Sequence, residues 1–290
     1  MRTAIIVNPA AGRNRSAKLW PDLAKILQNR AYSFESYFTA GQGDATRLAE
    51  DLSGRVERIV VVGGDGTVHE VVQGIVERKV ELAVIPTGTG NDFVRSLGIA
   101  KDPVKALDLL FQGRAKKIDV GRVNNRYFVN VAGLGFDAAV VHAVNTSYKY
   151  ISGTATYLLA LLKTLITYQN ANLKVRVGDK TLNSSSLLVA VGNGSWYGGG
   201  MKIVPDAILD DGQLDICIVG NITKPEILWS LPKIFNGSHV THPKVTMLKG
   251  QEINIEAETP MVIQADGEII GHAPARIRVL PQALTVLVPN

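Results

Sequence analysis

An aspartate, Asp65, lies in a glycine-rich turn, Gly63-Gly-Asp-Gly66, between two segments of different periodicity. The run Ile59–Val62 before it is β-branched, as in a strand that is buried on both faces of a parallel sheet. After Thr67 the apolar residues recur three or four apart, which is typical of a helix face. A glycine turn at a helix N-terminus offers backbone N–H groups to an anion, and a carboxylate there repels phosphates unless a divalent cation lies between or it accepts a proton. The turn therefore predicts phosphate chemistry with a catalytic Asp65; the alternative is a tight turn that uses Asp for its turn chemistry.

Two further carboxylate segments could supply metal ligands or a base. Four acids fall within 205–215, a turn-rich segment before a strand, and Mg²⁺ and Ca²⁺ prefer such oxygen ligands. The alternative there is a solvated hairpin with an Asp-Asp-Gly turn. Asp266-Gly267 is a strong two-residue hairpin signal, and it would place Glu268 just beyond the tip, able to project toward a cleft. A lone carboxylate in that position is more often an exposed surface residue.

Other site classes find little support. The chain has no P-loop motif and no Gly-x-Ser-x-Gly nucleophile elbow. Gly133–Ala138 matches the Gly-x-Gly-x-x-Ala dinucleotide fingerprint, but the acidic residue expected about twenty positions later is missing. His239 and His242 stand without a third histidine or a cysteine nearby, so a loop is favoured over a metal site. Phosphate chemistry at the glycine turn remains the best-supported interpretation.

The first half of the chain alternates strand, loop and helix. This order predicts an α/β domain with an open, mostly parallel sheet and helices on both faces, up to about residue 120. Three loops, after residues 7, 62 and 85, would then share the carboxyl edge of the sheet, where ligands gather in such folds. The predicted strands are Thr3–Val7, Tyr32–Phe38, Ile59–Val62 and Leu82–Ile85, and the predicted helices are Ser16–Asn29, Ala45–Leu52 capped by Asp44, one after Thr67, and Pro103–Phe111.

The second half changes character after Ile118. Short alternating segments separated by turn residues predict a mainly antiparallel β-sandwich or barrel-like domain, interrupted by helices only near 153–168 and 224–236. We therefore predict two domains, 1–120 and 121–290, with the site in the cleft between them. The predicted strands are Tyr127–Val131, Leu173–Val177, Ser186–Val191, Leu214–Val219, Glu252–Glu256, Met261–Gln264, Ala275–Leu280 and Leu284–Val288.

Composition sets the class of protein. Of 290 residues, 46% are hydrophobic and 20% are charged, which is typical of a globular protein. The net charge of +5 fits anionic partners, but without basic stripes interleaved with aromatics it does not favour nucleic acid. The single Cys217 lies in a strand pattern and predicts a small buried hydrophobe in a reducing cytoplasm. The longest apolar run, Tyr157–Ile166, contains Lys163 and is too short to cross a bilayer, which takes about twenty residues. We expect a cytoplasmic protein without a transmembrane segment that can contact a membrane peripherally.

The order of three motifs resembles the diacylglycerol kinase-like lipid kinase family, especially its soluble bacterial members, and more distantly the sphingosine kinases. These motifs are Gly63-Gly-Asp-Gly-Thr-Val-His-Glu70, Pro86-Thr-Gly-Thr-Gly-Asn-Asp-Phe93 and the late Asp266-Gly-Glu268. The first alone is shared with NAD kinases and phosphofructokinases, and the other two make the resemblance specific. It covers essentially the whole chain.

The resemblance implies a nucleotide site, a structural metal and a base. Asp65 and Asp92 would hold the phosphates through Mg²⁺. Asp211, with the carbonyls of Ile208 and Gln213, would bind a structural Mg²⁺, and Glu268 would be the general base. The residues implied to contact ATP are Asn8, Pro9, Ala10, Ala11, Gly12, Thr39, Gly64, Asp65, Gly66, Thr67, Val68, His69, Glu70, Thr89, Asn91 and Asp92.

Two local features qualify or extend this implication. His69 departs from the family, whose members commonly have Asn there, and this could alter one contact at the helix start. Asn193–Gly200 resembles a glycine-rich stretch of the family, and its Trp196 and Tyr197 are expected near the lipid.

The expected activity is an ATP- and Mg²⁺-dependent transfer of phosphate to a lipid hydroxyl, most plausibly converting diacylglycerol to phosphatidate. One alternative is an NAD kinase-like enzyme acting on a soluble nucleotide. Another is a regulator that binds nucleotide or lipid without catalysis, although a binding module has no need of a base such as Glu268. A homodimer is compatible with the sequence.

Overall fold

The computed structural model describes residues 1–147 and 154–290. The strands are β1 Thr3–Val7, β2 Glu35–Phe38, β3 Arg58–Gly63, β4 Glu81–Pro86, β5 Arg114–Val123, β6 Arg126–Phe128, β7 Val131–Gly135, β8 Ala171–Val177, β9 Lys180–Ser186, β10 Leu188–Gly192, β11 Leu214–Val219, β12 Val245–Gly250, β13 Glu252–Ala257, β14 Val262–Ala265, β15 Glu268–His272 and β16 Ala275–Val288. The helices are α1 Ala11–Asn29, α2 Asp44–Leu52, α3 Asp65–Ile75, α4 Asp92–Ser96, α5 Pro103–Ala106, α6 Leu109–Gln112, α7 Phe136–Ser147, α8 Thr154–Thr167 and α9 Lys224–Asn236, and a short 3₁₀ helix spans Ser238–Thr241.

The chain forms two compact units. Unit 1 comprises Met1–Val120 together with Gln282–Asn290, and unit 2 comprises Gly121–Pro281. Residues 282–290, which the sequence analysis placed in the second domain, fall in unit 1. They belong to unit 1 because the end of β16 runs parallel to β4, with Thr285 opposite Glu81.

Unit 1 is built on a parallel sheet with the strand order β2-β1-β3-β4, to which the end of β16 is added. Strands β1 and β3 are buried along their whole length, which explains why their sequences are unbroken β-branched or aliphatic runs. The predicted open α/β sheet is confirmed.

Three helical details of unit 1 differ from the prediction. Regular helix in α1 begins only after residues 12–14, which have left-handed backbone angles, so the prediction of a start at Ser16 was close. The predicted helix Pro103–Phe111 is two short helices, α5 and α6. The prediction that Asp44 caps the second helix was wrong: Gly43 is the N-cap, and the Asp44 carboxylate instead accepts the N–H of Ala40.

Unit 2 contains a six-stranded antiparallel sheet with the order β12-β11-β10-β7-β14-β15. Its strands β7, β10 and β11 are buried on both faces, and alternate residues enter two different cores. On β11, Ile216 packs in the core shared with β8, β13 and the start of β16, whereas Cys217 packs in the core formed with α7, α8 and α9. The predicted antiparallel sandwich is confirmed, and Cys217 is buried as expected.

Unit 2 also contains elements that were not predicted. Helix α7 follows β7 directly and adds a third helix to the two predicted ones. Strand β9 reads Lys-Thr-Leu-Asn-Ser-Ser-Ser, so it is a strand only because β8 pairs along its length. Strand β16 is continuous where two strands were predicted. Helix α9 matches its predicted range of 224–236, whereas residue 153, at the start of the other predicted helix, lies outside the described residues.

Within the described ranges, no helix combines the length and the apolar character needed to cross a membrane.

Candidate functional site

The three glycine-containing loops of unit 1 touch one another at the carboxyl edge of its sheet. A Cβ atom on Gly88 would lie 2.5 Å from the Cα of Gly64, and one on Gly64 would lie 3.0 Å from the Cα of Gly88. Gly12 has a φ of +60°, and its α-carbon faces the carbonyl oxygen of Thr87 so closely that a side chain would not fit. Because only glycine allows these approaches, the loops after β1, β3 and β4 form one continuous backbone surface.

Side-chain hydrogen bonds lock the loops in place. The amide of Asn8 donates to the hydroxyl of Thr67 at 2.9 Å, and its oxygen accepts the N–H of Ala10 at 3.1 Å. The amide of Asn91 donates to the carbonyl of Gly88 at 2.9 Å. The predicted nucleotide residues Asn8, Thr67 and Asn91 therefore preorganise the loops, whatever they contact in a ligand.

Asp65 and Asp92 are brought together at this edge. Oδ1 of Asp65 accepts the backbone N–H of Asp92 at 2.7 Å and that of Phe93 at 3.2 Å, so it caps the start of α4. Burial, followed by the nearby charge of Asp92, raises the pKa of Asp65 to about 6. Arg95 forms an ion pair with Asp92. Two crowded carboxylates beside exposed backbone N–H groups are a donor set that suits Mg²⁺ bound to phosphate.

The other predicted nucleotide residues divide by exposure. Val68 and His69 are buried, and the N–H of Val68 is already bonded to the carbonyl of Gly64. Thr39 is half-buried, and its N–H donates to Val7. The remaining predicted nucleotide residues of the loops are half-buried or exposed; they are Pro9, Ala10, Ala11, Gly12, Gly64, Gly66 and Thr89.

Glu70, also predicted to contact ATP, has its carboxylate engaged elsewhere. Its two oxygens accept the N–H groups of Gly43 at 2.9 Å and Ala45 at 3.1 Å, at the start of α2. A carboxylate at a helix N-terminus is stabilising because it satisfies donors that the helix leaves open. Glu70 thus performs the capping role that the sequence assigned to Asp44.

In unit 2, a lysine bridges the acidic segment that was predicted to bind a structural metal. Lys249 Nζ lies 3.5 Å from Asp211 Oδ2 and 3.2 Å from Asp215 Oδ2. Asp211 Oδ1 also accepts the N–H of Gln213 at 3.0 Å. In the part of the chain that the structure describes, no three His, Cys, Asp or Glu residues cluster as a metal site. A metal here would share Asp211 with Lys249 and take its other ligands from loop carbonyls, as predicted for Ile208 and Gln213.

Glu268 is the first residue of β15, directly after the predicted two-residue turn. Asp266 and Gly267 have φ angles of 47° and 89°, and Ala265 pairs with Glu268 across the hairpin, so this turn prediction is confirmed. The carboxylate of Asp266 accepts three consecutive backbone N–H groups, those of Val129, Asn130 and Val131, at 2.8 to 3.0 Å. Sequence analysis identified Glu268 but missed this clamp, which holds the turn rigidly against the start of β7.

A second support of this turn was also missed. Gln264 donates its amide to Asp137 Oδ2 at 3.2 Å, and its own oxygen accepts the N–H of Gly267 at 2.9 Å. Asp137 is buried in the first turn of α7, and burial raises its pKa to about 6. Its carboxylate fills the space above Gly133, where a phosphate would lie in a dinucleotide fold, which supports the rejection of the Gly133–Ala138 fingerprint. The available signal was an acid directly after a glycine-rich strand.

Beside Asp137 lies an apolar cavity between the sheet of unit 2 and helices α7, α8 and α9. Tyr197, which was expected near the lipid, lines it, and Trp196 is half-buried with Lys202 Nζ 5.6 Å from its ring centre. His239 and His242 line the cavity rather than a metal site.

Known proteins match the chain over its whole length. The diacylglycerol kinase catalytic domain family matches residues 2–123, and the YegS C-terminal NAD kinase beta sandwich-like domain family matches residues 130–288. A diacylglycerol kinase of Staphylococcus epidermidis is 34% identical over 100% of this chain and 92% of its own length, and one of Staphylococcus aureus is 35% identical over 100% and 93%.

Solved structures agree. A crystal structure of a diacylglycerol kinase from Bacillus anthracis has 26% identity and a TM-score of 0.77, covering 99% of this chain and 96% of that one. A second structure from the same organism has 29% identity and a TM-score of 0.85, covering 99% and 95%. With both halves matched in order and curated relatives above 30% identity throughout, the chain belongs to the diacylglycerol kinase family of lipid kinases.

Proposed function

We propose that this protein is an ATP- and Mg²⁺-dependent lipid kinase that transfers the γ-phosphate to a lipid hydroxyl, converting diacylglycerol to phosphatidate. The observation that carries the proposal is the loop edge of unit 1, where glycine backbones meet beside the paired carboxylates of Asp65 and Asp92. The names of the curated relatives supply the lipid class.

The loops of unit 1 would bind the nucleotide mainly through backbone groups. The N–H groups of the first turn of α3, at residues 65–67, have no acceptor within the helix and lie at its positive end. They would bind phosphate oxygens without the lysine of a P-loop. Asp65 and Asp92 would hold Mg²⁺. The bound ion would neutralise the charge that develops on the phosphoryl group during transfer.

Glu268 would accept the proton of the lipid hydroxyl. A general base must be held within hydrogen-bond reach of that proton, and the clamp by Asp266 together with the Gln264–Gly267 bond restricts the turn that carries it. The carboxylate needs no further activation, because phosphoryl transfer depends mostly on positioning and on charge stabilisation.

Helices α8 and α9 would contact the membrane that holds the lipid, at its cytoplasmic face. Lys224 of α9 donates to the carbonyl of Ile166 in α8, so these two helices are neighbours. Together they expose Leu159 (60%), Ile166 (71%) and Trp229 (82%), with Lys163 and Lys224 also exposed. Exposed apolar side chains flanked by lysines suit the interface of a bilayer that contains anionic lipids.

The test is phosphate transfer from labelled ATP to a panel of micellar lipids, with NAD as a soluble acceptor. The proposal predicts labelled phosphatidate from diacylglycerol and no labelled NADP. Label on NAD alone would replace it with an NAD kinase-like function. Nucleotide binding without any labelled product, in a panel that includes diacylglycerol, would refute catalysis on this lipid.

A further inference from the structure

Strand β15, which begins with the proposed base Glu268, is held by its sheet from one side. It is the last strand in the order of the six-stranded sheet, so among the described strands it pairs only with β14. Next to the turn this pairing is regular for two residue pairs, Ala265 with Glu268 and Gln264 with Ile269, and the register then shifts. A bulge this close to the turn disrupts the ladder that would otherwise fix the strand. Side-chain contacts must therefore supply part of the support for Glu268.

The buried side chain of Gln264 makes one such contact, and both of its neighbours determine the direction of its amide. The N–H of Gly267 can only donate, and it lies 2.9 Å from Gln264 Oε1. The ionised carboxylate of Asp137 can only accept, and its Oδ2 lies 3.2 Å from Gln264 Nε2. Burial raises the pKa of Asp137 to about 6, so this carboxyl is ionised at neutral pH. The amide nitrogen thus faces Asp137 and the amide oxygen faces the turn.

The carboxylate of Asp137 is itself fixed at the start of α7. It accepts the backbone N–H groups of residues 137 and 138, which lie at the positive end of that helix. Gly133 on β7 leaves the space for this contact, because a Cβ atom there would overlap the Asp137 carboxylate and lie 2.9 Å from Gln264 Nε2. The backbone of Gly133 is not left-handed, so its contact with this polar pair is what requires glycine.

We propose that Gln264 and Asp137 are positioning residues for phosphate transfer: the carboxylate of Asp137 orients the Gln264 amide, whose oxygen holds Gly267 and so keeps Glu268 within reach of the acceptor hydroxyl. The inference rests on the proposed function for the role of Glu268. The clamp by Asp266 fixes the turn to the start of β7, whereas Gln264 holds the residue directly before the base. Both positioning residues act through the turn and not on the reacting atoms.

Asp137→Asn tests the orientation of the Gln264 amide. The backbone N–H groups of α7 attract the new amide oxygen, so the new NH₂ group faces Gln264. Gln264 must then turn its oxygen away from Gly267 or leave two NH₂ groups in contact. The variant removes a buried charge and should fold. Its kcat for lipid phosphorylation should fall about 10- to 100-fold while KM for ATP is unchanged, because a displaced base loses effect only in the transition state.

A complementary variant provides the rescue. Asp137→Asn combined with Gln264→Glu exchanges the amide and the carboxylate between the two positions. The donor now lies on α7, and the new carboxylate on β14 can accept both this donor and the N–H of Gly267. The double variant should recover kcat to within about threefold of wild type, because the two substitutions act on one hydrogen bond and are not additive. Loss of packing alone would not be rescued, since both substitutions keep the side-chain shape.

A second measurement needs no kinase activity. The hydrogen exchange of the Gly267 amide, followed by NMR on the full chain, reports the bond to Gln264. Exchange should be about tenfold or more faster in Asp137→Asn than in wild type and should slow again in the double variant. Gln251→Met and Asp179→Asn, at exposed residues of the same unit, are the controls and should change neither kcat nor this exchange.

The outcomes separate the positioning role from the kinase itself. Wild-type kcat in a folded Asp137→Asn, or a double variant no more active than Asp137→Asn, would overturn the positioning role and leave the kinase standing. Exchange at Gly267 that is equal in all variants would overturn it as well. If the wild type phosphorylates no lipid, the proposed function fails and Glu268 is no base, although exchange that responds as expected would still show that Asp137 orients Gln264.

Discussion

Asp65 in unit 1, which is half-buried, and Asp137 in unit 2, which is buried, are carboxyls whose pKa values are both raised to about 6, yet their surroundings differ. Asp65 shares its site with Asp92 and accepts two backbone N–H groups. Asp137 lies in an apolar lining, and its Oδ2 accepts the amide of Gln264. Crowded negative charge beside N–H donors suits a cation and a phosphate, whereas the carboxyl of Asp137 holds Gln264, which in turn accepts the N–H of Gly267. The same pKa shift therefore occurs in two carboxyls with different neighbours, one beside a second carboxylate and one that supports a turn.

The largest expected effect concerns Glu268, the proposed base in unit 2. Glu268→Gln should lower kcat about 10²- to 10⁴-fold, because proton acceptance is lost while the side-chain shape is kept. Nucleotide affinity, measured by calorimetry, should be unchanged. Glu258→Gln, at an exposed residue of the same unit, is the matched control and should have wild-type activity. A fully active Glu268→Gln would remove Glu268 as the base.

The second prediction separates the two roles of Asp65. Asp65→Ala should weaken Mg²⁺-ATP binding and also lower the free energy of unfolding by about 1 kcal/mol, because the N–H groups at the start of α4 lose their acceptor. Asp65→Asn keeps an oxygen for those groups, so it should weaken Mg²⁺-ATP binding with little loss of stability. Calorimetry and thermal melting measure the two effects. Wild-type affinity for Mg²⁺-ATP in both variants would contradict the nucleotide role.

The third prediction uses the pKa of Asp137. Because the folded-state pKa of about 6 lies above the ordinary value of 3.8, the folded protein binds an extra proton between these pH values. The ionised carboxyl therefore costs stability at neutral pH, and this cost is relieved as the pH falls from about 7 to about 4. The full difference between these two pKa values corresponds to about 3 kcal/mol of stability.

Asp137→Asn should accordingly be more stable than wild type at pH 7.5, and this advantage should shrink toward pH 4, as measured by urea unfolding. Burial, followed by the charge of Asp137, raises the pKa values of Tyr168 and Cys217, that of Cys217 to about 12. Both lie outside this pH window. A pH-independent difference between variant and wild type would show that Asp137 titrates normally.

The smallest expected effect concerns Lys249. Lys249→Ala removes the counter-charge of Asp211 and Asp215 and should lower the free energy of unfolding by about 1 kcal/mol, because Lys249 is partly exposed and screened by solvent. If Asp211 binds Mg²⁺, adding Mg²⁺ should restore the free energy of unfolding of Lys249→Ala. It should not do so when Lys249→Ala is combined with Asp211→Asn. If the melting temperature of each variant were the same with and without Mg²⁺, the structural metal would be refuted.

Local sequence was sufficient wherever a few neighbouring residues determine the conformation. The strand before Gly63, the helix after Thr67 and the Asp266-Gly267 hairpin were all predicted, because β-branched runs, helical periodicity and an Asp-Gly pair act over short distances. Helix α9 was predicted over its full range, with a capping box between Thr223 and Glu226 at its start.

Contacts between residues far apart in the chain were not predictable in this way. Strand β9 is polar and depends on pairing with β8. Gln264 contacts Asp137 across 127 positions of sequence, and Lys249 bridges two acids on a neighbouring strand and loop. Glu70 accepts N–H groups at the N-terminus of α2, although Asp44 is the acid adjacent to that terminus in sequence.

The sequence by itself thus indicated the family, through the resemblance of its motifs, and predicted the two kinds of layer and the candidate acids, because motifs, glycine turns and periodicity are properties of short segments. Tertiary structure alone decided which acids share a neighbour, which are isolated and which already have a partner. The physical reason is that a carboxyl's ligand depends on its burial and on nearby charges, and only the packing of distant segments sets these.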